Sequence, residues 1–360
     1  AAAPGVHYRI SVLNAHAHLF AITLTIEKPQ ARQRVMLPVW IPGSYLVREF
    51  SQHLQHLQAI QAGEPVAVRQ LDKHRWEIGS ASGQPLELHY EVYAFDASVR
   101  TACLDAQRGF FNGTSLCLRV HGQEQQPHTL EVSAPAAPTW SLATGLAALK
   151  VDKKGFGLYA AAHYDELVDC PVEMGDFWQG HFTACGVTHR FVVAGAAPSF
   201  DGERLLADTQ KVCETAIRFW HGKGKAPFGS YLFMLNAVHD GYGGLEHRNS
   251  TALICGRRDL PRLGDKRQSD GYTTLLGLIS HEYFHTWNVK RLRPAEFATY
   301  DYDQENYTEL LWFFEGFTSY YDDLLLRRAG LITPAVYLQL LGKTPNQVLQ
   351  TPGLAVQSVA

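Results

Sequence analysis

Apolar and polar positions alternate, or apolar residues run in short blocks, through the first ~170 residues. Segments such as "HYRISVL", "HLFAITLTIE", "RQRVMLPVWIP", "LELHYEVYAF" and "HTLEVSAP" are separated by clusters of Gly, Pro, Asn and Asp. Period-two patterning between turn signals predicts antiparallel strands packed as a β-sandwich. One segment reads both ways: in "VREFSQHLQHLQA", Val47, Phe50, Leu54 and Leu57 have helical spacing. After "ELVDCPVEMGDFW" the texture changes. "HFTACGVTHRFVVAG" predicts a hairpin, and "FDGERLLADTQKVCETAIRFWHG" carries 3.6-residue periodicity behind an acidic first turn. "SYLFMLNAV" and "TALICG" read as strands, with "GYGGLEHRNS" a glycine-rich loop between them. Helices are predicted over 271–290, 305–329 and 334–349. Strands and helices in separate blocks indicate a multidomain α+β protein. Its expected parts are a β-sandwich over 1–170 and a mixed β-sheet plus helical domain over 171–360.

Composition narrows the classes. The 360 residues are 46% hydrophobic and 19% charged, as in globular chains that bury real cores. A formal charge of −3 argues against a nucleic-acid binder, which would carry a basic patch or stripe. No stretch approaches the roughly 18 apolar residues that cross a membrane, so no membrane insertion is expected. The six cysteines are scattered, without a C-x-x-C pair, and read as buried thiols. That favours a reducing cytoplasm. The alanine-rich start lacks a signal sequence but would suit a processed end, which keeps the periplasm open.

Chemistry enters with "HEYFHTWNVKRLRP", residues 281–294. On a helix, positions i and i+4 share one face, so His281 and His285 can offer two imidazole nitrogens to one metal ion. Glu282 points roughly 100° round the axis, beside such an ion rather than onto it. This is the H-E-x-x-H pattern of zinc peptidases, with the glutamate as general base. Two core-facing histidines on an ordinary helix would read the same. A catalytic zinc site needs a third protein ligand and leaves the fourth position open. Glu315 stands inside the apolar run "LLWFFEGF", where a carboxylate is costly to bury unless it is paired or bound to metal. It completes a His₂Glu set for one Zn²⁺ per chain. Asp322 is the preferred residue to orient an imidazole, against a plain solvated role. Lys290, Arg291 and Arg293 read as cations at a helix C-terminus.

Whether such an enzyme cuts inside chains or trims their ends depends on "GYGGLEH". Gly243 and Gly244 let backbone approach a ligand closely, and a peptide could add along the strand edge. Glu246 could then meet the terminal ammonium of the peptide, or be a plain surface carboxylate.

These motifs, with "PVWIPGSYLVREF", "YAFDASVRTACLDAQRGFFNGTSL", "ELVDCPVEMG" and "LQTPGLAVQSVA", resemble the M61 glycyl aminopeptidase family over nearly the whole chain. That family is related to the M1 aminopeptidases, whose G-x-M-E-N loop binds the substrate amine. "GGLEH" is similar to it, with Leu245 for methionine and His247 for asparagine. The resemblance implies a thermolysin-like (gluzincin) catalytic domain and a peptide substrate with a free N-terminus, beginning with glycine or alanine. Tyr45, in a loop of the β domain, is expected to line the first specificity pocket. Family members continue past this point, usually into a PDZ-like domain, so the catalytic domain is expected to be C-terminally incomplete. The tyrosine that stabilises the transition state would then lie beyond it, or be one of Tyr242, Tyr307, Tyr320 and Tyr321. Two alternatives stand: a zinc endopeptidase, and a non-catalytic scaffold with a structural zinc. The sequence is silent on oligomeric state.

Overall fold

A computed structural model describes residues 5–81 and 83–357. The chain forms two compact units. The first runs through Phe177 and also takes in Thr299–Asn306; the second comprises Trp178–Ala298 and the chain from Tyr307 onward. The return of 299–306 to the first unit leaves no mark in the block pattern of the sequence.

The first unit is built of sheets. Eight strands form the largest, in the order Ala147–Val151, Gly157–Ala161, His128–Val132, Val6–Asn14, Leu19–Ile26, Leu86–Tyr93, Leu54–Gln61, Glu64–Val66. Its pairings are antiparallel except that Val6–Asn14 runs parallel to His128–Val132. Two four-stranded sheets complete the unit. Alternation does the sorting: in Leu19–Ile26, Phe20, Ile22, Leu24 and Ile26 are buried while their neighbours are partly exposed. The ambiguous segment resolves into one 3₁₀ turn, Phe50–His53, followed by the strand Leu54–Gln61. Its register against Leu86–Tyr93 shifts between Gln55 and Gln58, and His56 adopts φ 56°. A bulge adds a residue to the strand, and the interrupted period of two imitates helical spacing.

In the second unit we label β1 (Trp178–Ala184), β2 (Val187–Ala194), α1 (Gly202–His221), β3 (Ser230–Val238), β4 (Gly243–Glu246), β5 (Ser250–Gly256), α2 (Asp270–His285), α3 (Leu311–Arg328) and α4 (Pro334–Gln350). The sheet order is β1-β2-β3-β5-β4. β2, β3 and β5 run parallel, with antiparallel strands at both edges. The expected loop around Gly243 is therefore partly a strand: β4 pairs with β5 from Gly243↔Ile254 to Glu246↔Thr251. Two glycines carry no strand propensity, so partner hydrogen bonds decide.

α2 is buried nearly all round, with Leu275, Leu276, Leu278, Ile279 and Tyr283 each at most 3% exposed. Phe191, Phe233, Leu253, Val212 and Ile217 share its core. A helix apolar on every side belongs inside a domain. α2 stops at His285 rather than 290, and α3 starts at Leu311 rather than 305. Past α2 the chain turns sharply, with Val289 at φ 133°. The cations expected at the helix end reach it from that turn: the Arg291 guanidinium donates to the carbonyls of Thr286 (2.8 Å) and Arg248 (3.0 Å). Arg293 donates instead to Lys290 and Phe297 carbonyls. All six cysteines are free, and five are buried. No helix among the described residues is long and apolar enough to cross a membrane.

Candidate metal centre

The last turn of α2 carries His281 and His285, and α3 packs against it with Glu315 on the facing side. His281 Nε2 lies 3.1 Å from His285 Nε2, and Glu315 Oε2 lies 3.5 and 3.6 Å from these two nitrogens. Ligand atoms 2.0–2.1 Å from one tetrahedral centre stand about 3.3 Å apart, so the three atoms are spaced as a bound zinc ion requires. The outer nitrogens are engaged as well. His281 Nδ1 donates to Asp322 Oδ2 at 3.0 Å, and His285 Nδ1 donates to the Asn288 carbonyl at 2.9 Å. With both Nδ1 atoms donating, neutral imidazoles would present their Nε2 lone pairs towards one point, as metal-ligating histidines do. The residues fit a zinc ion.

Electrostatics agree. Burial opposes charge on His281, yet hydrogen bonds to Asp322 and Glu315 hold its pKa well above the ordinary value. For His285, burial again opposes charge, and Glu315 and Glu246 outweigh it. The carboxylates thus favour positive charge where the imidazoles converge. Glu282, 5% exposed, lies beside this point; burial raises its pKa to about 7 even though both histidines pull it down.

Glu246 ends edge strand β4 and is 7% exposed. Its ligand atom and those of Glu282 and His285 all lie within 4.8 Å of one another. Gly243 and Gly244 precede it on β4. Gly243 has open space where a Cβ would stand, but Gly244 faces the Glu282 carboxylate. Tyr45 belongs to the first unit, in the irregular stretch between Met36 and Phe50, and is 52% exposed. Of the four tyrosines considered, Tyr321 stacks on Phe284 (15° between planes), a packing role, and Tyr307 is 75% exposed. Tyr320 sits on α3, half-exposed. Tyr242, just before β4, has its phenol raised to about 12 by desolvation and then by the Asp322 and Glu282 carboxylates.

One contributor was invisible in the sequence, and a second, Thr318, was marked there only by lying near the face of Glu315. The Asn288 carbonyl is a backbone atom, and no residue type announces it. Thr318, fully buried, receives the Asn288 side-chain amide at 3.1 Å and so helps fix the turn that aims that carbonyl. Its place three residues after Glu315, one turn along the helix, was the one available signal.

Comparison with known proteins gives a consistent picture. The model of the M61 N-terminal domain matches residues 7–176, and that of the M61 glycyl aminopeptidase matches residues 274–360. An aminopeptidase N family protein from Idiomarina loihiensis has a crystal structure similar at TM-score 0.91 and 46% identity, covering 94% of this chain and 57% of that one. The present chain therefore spans little more than half of that relative. An M1 zinc metallopeptidase from Deinococcus radiodurans is similar at TM-score 0.52 and 15% identity, over 90% of this chain and 70% of that one. A mutant of the Deinococcus enzyme bound to a Tyr-Ser-Ala substrate gives TM-score 0.51 at 14% identity, with the same coverage. At such identities the likeness concerns the fold alone. No curated protein matches the chain.

Proposed function

Because the chain belongs to the M61 peptidase family, we propose that it is part of a zinc aminopeptidase that removes single residues from peptide N-termini. His281, His285 and Glu315 hold the metal, with Asp322 and the Asn288 carbonyl fixing the two rings. Zinc in that site supplies Lewis acidity, which polarises the scissile carbonyl and makes water acidic near neutral pH. Glu282 accepts the proton of the attacking water and returns it to the departing amine. Glu246 receives the α-ammonium of the substrate in charge-assisted hydrogen bonds. The catalytic unit is read as thermolysin-like, and small first residues, glycine or alanine, are the expected substrates.

The observation that carries this reading is the closeness of Glu246 to Glu282 and His285, all within 4.8 Å. Across one residue, the amine nitrogen and the carbonyl carbon are only about 2.5 Å apart. An anchor for the terminal amine must therefore sit next to the group that handles the first peptide bond. In an endopeptidase, the preceding residue of the substrate would need that space.

The test compares alanyl-alanyl-p-nitroanilide with its N-acetylated form, using metal-loaded protein of the full family length. Cleavage confined to the free amine, abolished by a chelator, restored by zinc and reduced about 10²–10⁴-fold in Glu282→Gln, is the expected result. Equal cleavage of both peptides would make the protein an endopeptidase. Full zinc content with neither peptide cleaved would indicate a scaffold.

A further inference from the structure

We infer that Gly244 is a positioning residue whose missing side chain makes the seat for the Glu282 carboxylate, rather than a point of close approach for substrate. The assignment rests on the reading of Glu282 as general base, and it gives the two adjacent glycines different roles.

The two glycines differ in surroundings. A Cβ at Gly243 would meet nothing within 4 Å. A Cβ at Gly244 would lie 2.2 Å from Glu282 Oε1, 2.4 Å from its Cδ and 2.6 Å from its Cγ. Neither glycine has a positive φ, so the backbone itself would admit an L side chain at both positions. Space decides at Gly244, not conformation.

The clash matters because of how Glu282 is held. Its side chain is buried, and its Oε2 has no hydrogen-bond partner. Packing against β4 is thus part of what fixes the carboxylate. Ordinary van der Waals contact begins near 3.4 Å, so a methyl at 244 must push the end of Glu282 by about 1 Å, and a displacement of that size can cost on the order of 10²-fold in rate. β4 also carries Glu246, two residues on and on the same side of the strand. One short edge strand therefore supplies both the wall behind the base and the anchor for the amine, which ties their separation to the strand's fixed rise.

The test is the variant Gly244→Ala in the metal-loaded protein. The expected outcome is a kcat lowered about 100-fold with KM within about threefold, one zinc per chain retained, and a smaller loss from Glu282→Gln in the Gly244→Ala background than on its own. Its crystal structure should show the Glu282 carboxylate displaced while His281, His285 and Glu315 keep their places. An unmoved Glu282, or a raised KM with kcat preserved, would overturn the inference in favour of direct substrate contact. Should Gly244→Ala fail to fold, the double variant Gly244→Ala/Glu282→Ala decides: recovery of folded protein supports the clash, and continued failure refutes it. The structural readouts stand even if the protein proves to have no peptidase activity.

Discussion

Each imidazole of the metal centre is held by a different kind of acceptor. His281 leans on a carboxylate, Asp322, which burial pushes above its ordinary pKa although the His281 bond pulls it down. His285 leans on a backbone carbonyl that no substitution can delete. The Asp322 contact is therefore the one that mutation can test. Asp322→Asn keeps the shape but offers a weaker acceptor, and loss of such outer contacts typically weakens metal binding 10–100-fold. Competition with a zinc-binding dye measures this, and unchanged affinity would assign Asp322 a purely packing role. At this scale the spacing of His281, Glu282 and His285 was legible because helix geometry is local. Glu315 stood out against its apolar neighbours, but not through burial: its side chain is 34% exposed, and Trp312 and Phe317 are exposed as well.

The helix that carries the motif is fixed at both ends. Ser269 Oγ accepts the Tyr272 N–H at 3.0 Å at its start. At its end, Arg291 ties Thr286 to the carbonyl of Arg248, two residues past Glu246. The two elements that bear Glu282 and Glu246 are thus joined by one guanidinium. Ser269→Ala should cost about 1 kcal/mol, a loss of a few degrees in Tm for a domain of this size, with zinc content unchanged. A thermal melt followed by metal analysis checks it. Element ends were the least legible part of the sequence. α2 was expected to reach 290, because "HTWNVK" has no helix breaker before Pro294. The helical ladder gives way at Val289, whose φ of 133° no helix admits, and the turn it makes brings the Asn288 carbonyl to His285. That choice depends on α3, which is distant in sequence.

At the scale of the molecule, each unit buries a histidine in its neutral form. His128 in the first unit and His189 in the second are both fully buried, and desolvation lowers each pKa from 6.5 to about 4. The unfolded chain binds protons at these groups below pH 6.5 while the folded chain does not. Stability is therefore complete above pH 6.5 and falls as the pH drops towards 4, by up to about 3 kcal/mol for each histidine. Melting curves between pH 7 and 4 should show Tm falling through this window, with a shallower slope in His189→Gln; a flat profile would contradict it. What the sequence determined by itself was whatever follows from short-range periodicity. It marked a strand-rich first part, helices in the second, and a zinc-like spacing, because strand and helix geometry repeat within a few residues. What only the tertiary structure decided was which distant groups meet. It turned a glycine loop into the edge strand β4, set Gly244 against Glu282, aimed the Asn288 carbonyl at His285, and returned Thr299–Asn306 to the first unit. Each of these depends on packing between segments far apart in the chain, and such contacts leave no periodic trace in either partner.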